Sequence, residues 1–327
     1  MLVTGANGVG KTNLLEALHV GSQGFSPRTR AEPRLVRFGE QAARVRLAGE
    51  EGRTPFETEV DLAPATAKRI KLNGALLSGG DELRLRLSAL VFTPDRLAVV
   101  KGGPLVRRAY LDRMLGRLFP ARARLPSDYG RALAQRNAAL RRVRARESSF
   151  EVVGPWTEQV ARLGDELDRA RAELVAALAP AFGDHAEALG LPAAEMSYPA
   201  QGLSVEELEA RFDRDVERGT TGAGPHLRDA AIAAGSRDLR AFGSQGEQRT
   251  AVLALVLAEA EQLAGRRGEP PLLLLDDVFS ELDSARAAAL VARLPRGGQT
   301  VVTATERTGV LEPDLLVAVT PGEARAA

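Results

Sequence analysis

The spacing of apolar residues changes along this 327-residue chain, and the changes divide it. From Ala42 to Phe92 apolar and polar positions alternate. Ala43–Leu47 and Phe56–Leu62 therefore predict strands with one buried face. Lys68–Leu72 runs into Asn73-Gly74, a pair suited to the positive φ angles of a tight hairpin turn. Leu87–Phe92 predicts a further strand, ended by Thr93-Pro94-Asp95. These strands are expected to be antiparallel and to cover one face of a larger body.

From Pro104 to about Val216 the spacing becomes helical. Pro104 suits a first helical position, and Leu111, Met114, Leu115 and Leu118 mark one face of a helix that Pro120 stops. Tyr129, Leu133, Leu140 and Val143 mark a second. Val160, Leu163, Leu167, Leu174 and Leu178 mark a third, which Pro180 is expected to end. Ser204 with Glu207 forms a capping-box pattern ahead of Leu208, Phe212 and Val216. After the glycine-rich loop Gly219–Gly224 a helix is predicted over Gln248–Leu263. Leu272–Leu275 has the continuous apolar character of a strand buried on both faces. Gln299–Thr305 and Leu315–Val319 predict two more. The division is then a discontinuous α/β body, 1–103 plus 217–327, holding a helical lobe at 104–216.

Chemistry enters at Gly5–Thr12, GANGVGKT, which fits the phosphate-binding pattern G-x-x-x-x-G-K-[ST]. Gly5, Gly8 and Gly10 let the backbone curl so that its N–H groups face phosphate oxygens, with Ala6, Asn7 and Val9 at the variable positions. Lys11 reaches β- and γ-phosphates, and the Thr12 hydroxyl is a hard ligand suited to Mg²⁺. The helix predicted from Asn13 points its N-terminus at the anion. Only four residues precede Gly5, fewer than a buried strand and its neighbours normally need. Either a start lies upstream or edge strands are absent. Far along the chain, Asp276 and Asp277 follow the four-leucine strand at its C-terminal end, where open α/β sheets bind ligands. Asp276 is placed to hold Mg²⁺, directly or through water, and Asp277 to orient attacking water.

Ala241–Thr250 reads AFGSQGEQRT, in which Ser244 and Glu247 form a second capping-box pattern. Ser244, Gln245, Gly246 and Glu247 open either a well-capped helix or a helix N-terminus that holds a γ-phosphate; the local pattern fits both. His226 has no acidic or histidine neighbour at metal-ligand spacing and is assigned a structural part.

Composition narrows the field. The absence of cysteine excludes disulfides, thiolate metal sites and thiol catalysis, and fits a reducing compartment. No apolar run is long enough to span a membrane, and the N-terminus carries no secretory signal pattern. The net charge of +1 is uninformative about a nucleic-acid partner. Its distribution is less even: between Pro104 and Glu147 twelve arginines face three acids, and Arg141, Arg142, Arg144 and Arg146 are the densest group. Such a face either binds nucleic-acid phosphates or is solvated helix surface. Aromatic residues, at 4%, are too few for a base-stacking platform.

Some 265 residues separate the phosphate loop from the acidic strand, as in a nucleotide-binding body interrupted by an insert. The segments GANGVGKTNLLEAL, VFTPDRLAVVKGGPLVRRAYLD, TTGAGPH, FGSQGEQRT and LLLLDDVFSELD together resemble the RecF family of bacterial recombination-mediator ATPases. The resemblance implies an α/β fold: a P-loop ABC-type ATPase head, with a mixed sheet, flanking helices and an antiparallel β part, and a mostly helical second lobe. It implies ATP and Mg²⁺ as ligands and a homodimer formed on ATP. Each site would combine Gly5–Thr12, Asp276 and Asp277 of one copy with Ser244, Gln245, Gly246 and Glu247 of the other. Ser280 and Asp283 would lie in a loop crossing between copies. The dimer would bind single-stranded DNA and duplex or junction DNA at gaps and, with RecR and RecO, help load RecA. A cytoplasmic, nucleoid-associated protein with slow hydrolysis used as a switch is expected.

Three features depart from the family pattern. The family normally begins with about twenty-five residues ahead of this segment, carrying an edge strand and adenine-side contacts. Leu227, Arg228 and Asp229 follow Gly-Pro-His in place of an arginine and two acids. Thr303, Ala304 and Thr305 stand where ABC transporters carry a switch histidine, which counts against a transporter subunit. A structural clamp of the SMC kind is disfavoured by an insert short for a long coiled coil and broken by prolines.

Overall fold

The computed structural model describes every residue except Arg30, Ala65, Thr308, Ala327 and the side chain of Glu51. In chain order the strands and helices are β1 (Leu2–Thr4), α1 (Lys11–Gln23), β2 (Ala43–Glu51), β3 (Thr54–Ala63), β4 (Thr66–Leu72), β5 (Ala75–Leu76), α2 (Gly80–Arg86) and β6 (Ala89–Phe92). Then come α3 (Ala98–Lys101), α4 (Pro104–Leu118), α5 (Leu125–Arg144), α6 (Gly154–Ala188), β7 (Ala194–Ser197), α7 (Val205–Glu209) and α8 (Phe212–Arg218). The chain closes with β8 (Ala231–Ala234), β9 (Arg237–Asp238), α9 (Leu239–Phe242), α10 (Gln245–Arg267), β10 (Leu272–Leu275), α11 (Ser284–Arg293), β11 (Thr300–Ala304), β12 (Leu316–Thr320) and β13 (Glu323–Ala326).

Two compact units result. The first comprises 1–97, 184–192 and 244–327; the second comprises 98–183 and 193–243. The division expected from the sequence put the return to the head at 217. Here 217–243 belongs with the helices, where the loop 219–229 is bonded to them by the arginines described below.

The first unit is built on a six-stranded sheet ordered β13-β12-β1-β11-β10-β6, parallel except for β13. Three residues suffice for β1, since Leu2 and Val3 are wholly buried and pair on both sides, with β11 and β12. β6 differs from the expectation of an antiparallel neighbour to the hairpins: it pairs in parallel with β10 and is buried throughout, as its unbroken apolar run requires. A second sheet, β2-β3-β4-β5, is antiparallel and half-covered, matching the alternation in its sequence. α1 contributes to both cores. Leu15 joins Val3, Val91, Leu274, Val301 and Val319 against the main sheet. Val20 joins Val60, Leu62, Ile70 and Leu72 under the hairpins.

In the second unit α4, α5 and most of α6 accompany a small antiparallel sheet ordered β7-β8-β9. α6 does not end at Pro180 but runs through it to Ala188. Proline removes one backbone hydrogen bond, from the carbonyl of Ala176, and residue 176 is exposed, so water can replace the lost donor. The apolar stripe of Leu174, Leu178, Ala181 and Phe182 stays buried across the break, and that packing outweighs a cost of about 3 kcal/mol.

Candidate functional site

The phosphate loop follows β1 and turns into α1. Gly5 has φ 157°, and a Cβ there would lie 2.5 Å from the carbonyl oxygen of Val319, so only glycine fits. Gly10, the residue before α1, has φ 113°, and a Cβ built there or on Gly8 meets nothing within 4 Å. The loop is thus a hollow arch in front of a helix N-terminus, the shape and field an anion requires. Lys11 is 8% exposed, and its Nζ donates to the Gly5 and Ala6 carbonyls at 2.6 and 3.0 Å. Its cation is held inside the arch by the arch's own backbone. Thr12 donates through Oγ1 to Asp276 Oδ1 at 3.2 Å.

β10 and β11 deliver the other half. Asp276, 5% exposed, also accepts at Oδ1 from the Thr303 hydroxyl, 2.8 Å away. The Thr303 oxygen in turn accepts from the Asp277 backbone N–H at 2.8 Å. Thr303 therefore fixes both acids, one by its side chain and the next by its backbone. Asp277 sits in the left-handed region at φ 48°, ψ 40°, a conformation that costs a non-glycine residue on the order of 1 kcal/mol and is tolerated best by Asp and Asn. Its carbonyl accepts from the Ser280 hydroxyl at 3.0 Å and from the buried Arg249 guanidinium at 2.8 Å. Asp283 caps α11, accepting from the Arg286 N–H at 2.8 Å. The oxygens of Thr12 and Asp276 form a hard pair beside the loop, a donor set that fits Mg²⁺; the arch, Lys11 and the α1 N-terminus fit a triphosphate.

Ser244 opens α10 with a complete capping box. Its Oγ accepts from the Glu247 N–H at 3.2 Å, and its own N–H donates to Glu247 Oε2 at 2.8 Å. Ser244, Gln245 and Gly246 are exposed. This leaves a rigid helix start presenting backbone N–H groups outward.

The second unit uses its charges differently. Arg136, with no exposed surface, donates to Asp215 Oδ2 at 2.8 Å, Thr221 Oγ1 at 2.8 Å and Thr157 Oγ1 at 3.0 Å. Arg171 pairs with both oxygens of Asp112 at 2.9 Å and donates to the Pro225 carbonyl at 2.8 Å. Arg107 pairs with Asp229, and Arg228 with Asp168. Burial by itself raises the Asp168 carboxyl, but Arg228 and the N–H groups of Gly202 and Gln201 outweigh it and hold the acid below its usual range. His226 Nε2 lies 3.1 Å from the Thr221 carbonyl, so it carries the proton, and Nδ1 accepts from the Tyr129 hydroxyl at 2.6 Å. Burial and the nearby Arg108 and Arg171 push the imidazole below its ordinary value, against the pull of the Thr221 carbonyl. The 219–229 loop is thus nailed to α4, α5 and α6. Arg141 and Arg144 remain exposed while reaching the Gly219 and Glu217 carbonyls at 3.4 and 3.3 Å, and Arg142 and Arg146 are exposed.

Among curated proteins, the DNA replication and repair protein RecF of Anaeromyxobacter dehalogenans (strain 2CP-C) is 40% identical over 335 residues, covering 95% of this chain and 87% of that protein. The chain belongs to the RecF family. RecF of Myxococcus xanthus is 38% identical, over 93% of this chain and 84% of its own length. Among solved structures, the RecF–ATP structure described as the recombination mediator of the RecFOR pathway superposes with a TM-score of 0.86. It is 28% identical and covers 100% of this chain and 91% of that one. An SMC head from Pyrococcus furiosus matches at TM-score 0.55 and 17% identity, which shows a shared fold. No protein-family model matches the chain. The fold is accordingly that of a RecF- and SMC-type ATPase head.

The structure brings Gly5–Thr12, Asp276 and Asp277 of this RecF-family chain together at the C-terminal ends of β1 and β10. Two residues of the site escaped the sequence reading. Thr303 stood out only as a missing histidine, although its place after two buried valines put its side chain at a strand end. Arg249 stands between Gln248 and Thr250, just ahead of the apolar run from Ala251, and nothing in that local pattern marks it as buried or names its partner.

Proposed function

We propose that this chain is an ATP-dependent DNA-binding protein of recombinational repair and replication that acts at single-strand gaps and helps load RecA. The reading is supported most by the junction of the phosphate loop with Asp276, Asp277 and Thr303 across strands far apart in sequence. Lys11 exchanges the Gly5 and Ala6 carbonyls for β- and γ-phosphate oxygens when ATP enters. Thr12 and Asp276 would hold Mg²⁺, which would supply charge neutralisation to the phosphates. Asp277 orients the attacking water and accepts its proton, with its backbone fixed by Thr303. The short reach of an aspartate at this position suits slow turnover, as in a switch.

A second copy completes the site: Ser244, Gln245, Gly246 and Glu247 close over the γ-phosphate with the exposed N-terminus of α10, and the loop with Ser280 and Asp283 crosses between copies. Pairing gates DNA binding, in which Arg141, Arg142, Arg144 and Arg146 contact backbone phosphates. RecR and RecO are the partners this role implies, by analogy with the RecF–ATP structure assigned to the RecFOR pathway. In size-exclusion chromatography with Mg-ATP, Ser244→Arg is expected to bind nucleotide normally yet remain monomeric. An ATP-induced dimer in that variant would refute the shared site.

A further inference from the structure

Arg249 is a charged residue in the first turns of α10, where every position from Gln248 to Ala260 is buried. It is 3% exposed. Nη2 donates to the Asp277 carbonyl at 2.8 Å and approaches the Val278 carbonyl at 3.4 Å. Nη1 pairs with Glu281 Oε2 at 2.8 Å. The guanidinium lies over the Phe92 ring, 5.5 Å from its centroid. Buried arginine is costly unless its donors are used; Nε meets no hydrogen-bond partner among the described residues, while Nη1 and Nη2 both converge on one feature, the turn that carries Asp277.

That turn needs holding. Asp277 occupies the left-handed region at φ 48°, so an unrestrained aspartate would relax to a commoner conformation and its carboxylate would swing away. Its peptide groups are gripped from both sides, the N–H by Thr303 and the carbonyl by Arg249. Among the described residues no hydrogen bond holds the carboxylate itself, so its backbone aims it and it stays available for chemistry. A lysine could not replace this grip, because a point charge on a flexible stem cannot serve two carbonyls and a carboxylate in one plane.

We propose that Arg249 is a positioning residue for ATP hydrolysis: it fixes the left-handed backbone of Asp277 and thereby aims the water-orienting carboxylate. The inference rests on Asp277 being that base, as proposed above. Because Arg249 acts through Asp277, it contributes to turnover and not to nucleotide affinity.

The test is a cycle of Arg249→Lys, Asp277→Asn and the double variant, read by steady-state ATP turnover and by binding of a fluorescent ATP analogue. Arg249→Lys should lower kcat by about 10²-fold, the scale of a small misplacement of a reacting group, while affinity and KM hold. In the Asp277→Asn background it should cause no further fall. Glu281→Gln, at a mostly exposed carboxylate that does not threaten folding, should lower kcat in the same direction by several-fold, roughly the worth of one charge-assisted bond. The proposal is overturned if Arg249→Lys turns over normally, if its loss multiplies with that of Asp277→Asn, or if affinity falls along with kcat. It is equally overturned if Arg249→Lys fails to fold and Glu281→Gln turns over at the unaltered rate. An unchanged rate in Asp277→Asn alone removes Asp277 as the base. That failure is distinct from a slow Asp277→Asn beside a fast Arg249→Lys.

Discussion

Lys11 in the first unit and Arg136 in the second are both buried cations, but their partners differ in kind. Arg136 meets a buried carboxylate and two hydroxyls, and two of these partners are themselves anchored elsewhere: Asp215 also accepts from the Gly222 N–H at 3.0 Å, and the Thr221 hydroxyl donates to Asn137 Oδ1 at 2.7 Å. Lys11 meets two carbonyls of its own loop and, among the described residues, hydrogen-bonds to no carboxylate. One charge is neutralised by the fold. The other is stored by it, ready for an anion from outside. The same contrast separates Asp215, closed in by Arg136, from Asp276, which shares one oxygen between two threonine hydroxyls. Saturated bonding marks the groups that hold the 219–229 loop. Provisional bonding marks the groups that await a ligand.

Replacing each cation by methionine separates the two cases most sharply. Arg136→Met leaves Asp215 buried and uncompensated and should destabilise the protein by about 3–5 kcal/mol. Lys11→Met frees carbonyls that water can reach and should cost about 1 kcal/mol or less, while abolishing Mg-ATP binding. Thermal melts and equilibrium dialysis on both variants read the contrast. Equal destabilisation would erase it.

A smaller effect tests the second unit through pH. Burial depresses the His226 imidazole in the folded state, so the unfolded chain takes up a proton more readily. Stability from this group is complete above the unfolded value of about 6.5 and is lost as pH falls below it toward the depressed folded value. The melting temperature should drop between about pH 7 and pH 5, and His226→Gln should make that drop shallower. His185 is depressed by burial too and accounts for part of the remainder. An identical slope in the variant would remove His226 from the effect.

Much of the candidate nucleotide site was legible because its geometry is local: Gly5–Thr12 needs particular residues at adjacent positions, and Asp276-Asp277 stands at the end of an unmistakable strand. The hairpins were legible for the same reason, since alternation and Asn73-Gly74 act over a few residues. What sequence could not supply was partnership at a distance. Arg136 and Asp215 are 79 residues apart, and Arg249 and Asp277 28. Nothing in either segment names the other. Pro180 misled for a related reason: its local preference to end a helix was overridden by Leu178 and Phe182, whose burial depends on tertiary contacts. β1 looked too short because a strand's stability comes from its neighbours, here β11 and β12 near the other end of the chain.

Sedimentation velocity of the unaltered protein, with Mg-ATP or Mg-ADP and with or without gapped DNA, tests the ATP-gated dimer most directly, with Lys11→Met as the control that cannot respond. A dimer with Mg-ATP alone, a DNA-bound species that forms only under the same condition, and a monomer with Mg-ADP are the expected results. A protein that stays monomeric at saturating Mg-ATP and binds the gapped DNA equally well with either nucleotide would contradict it.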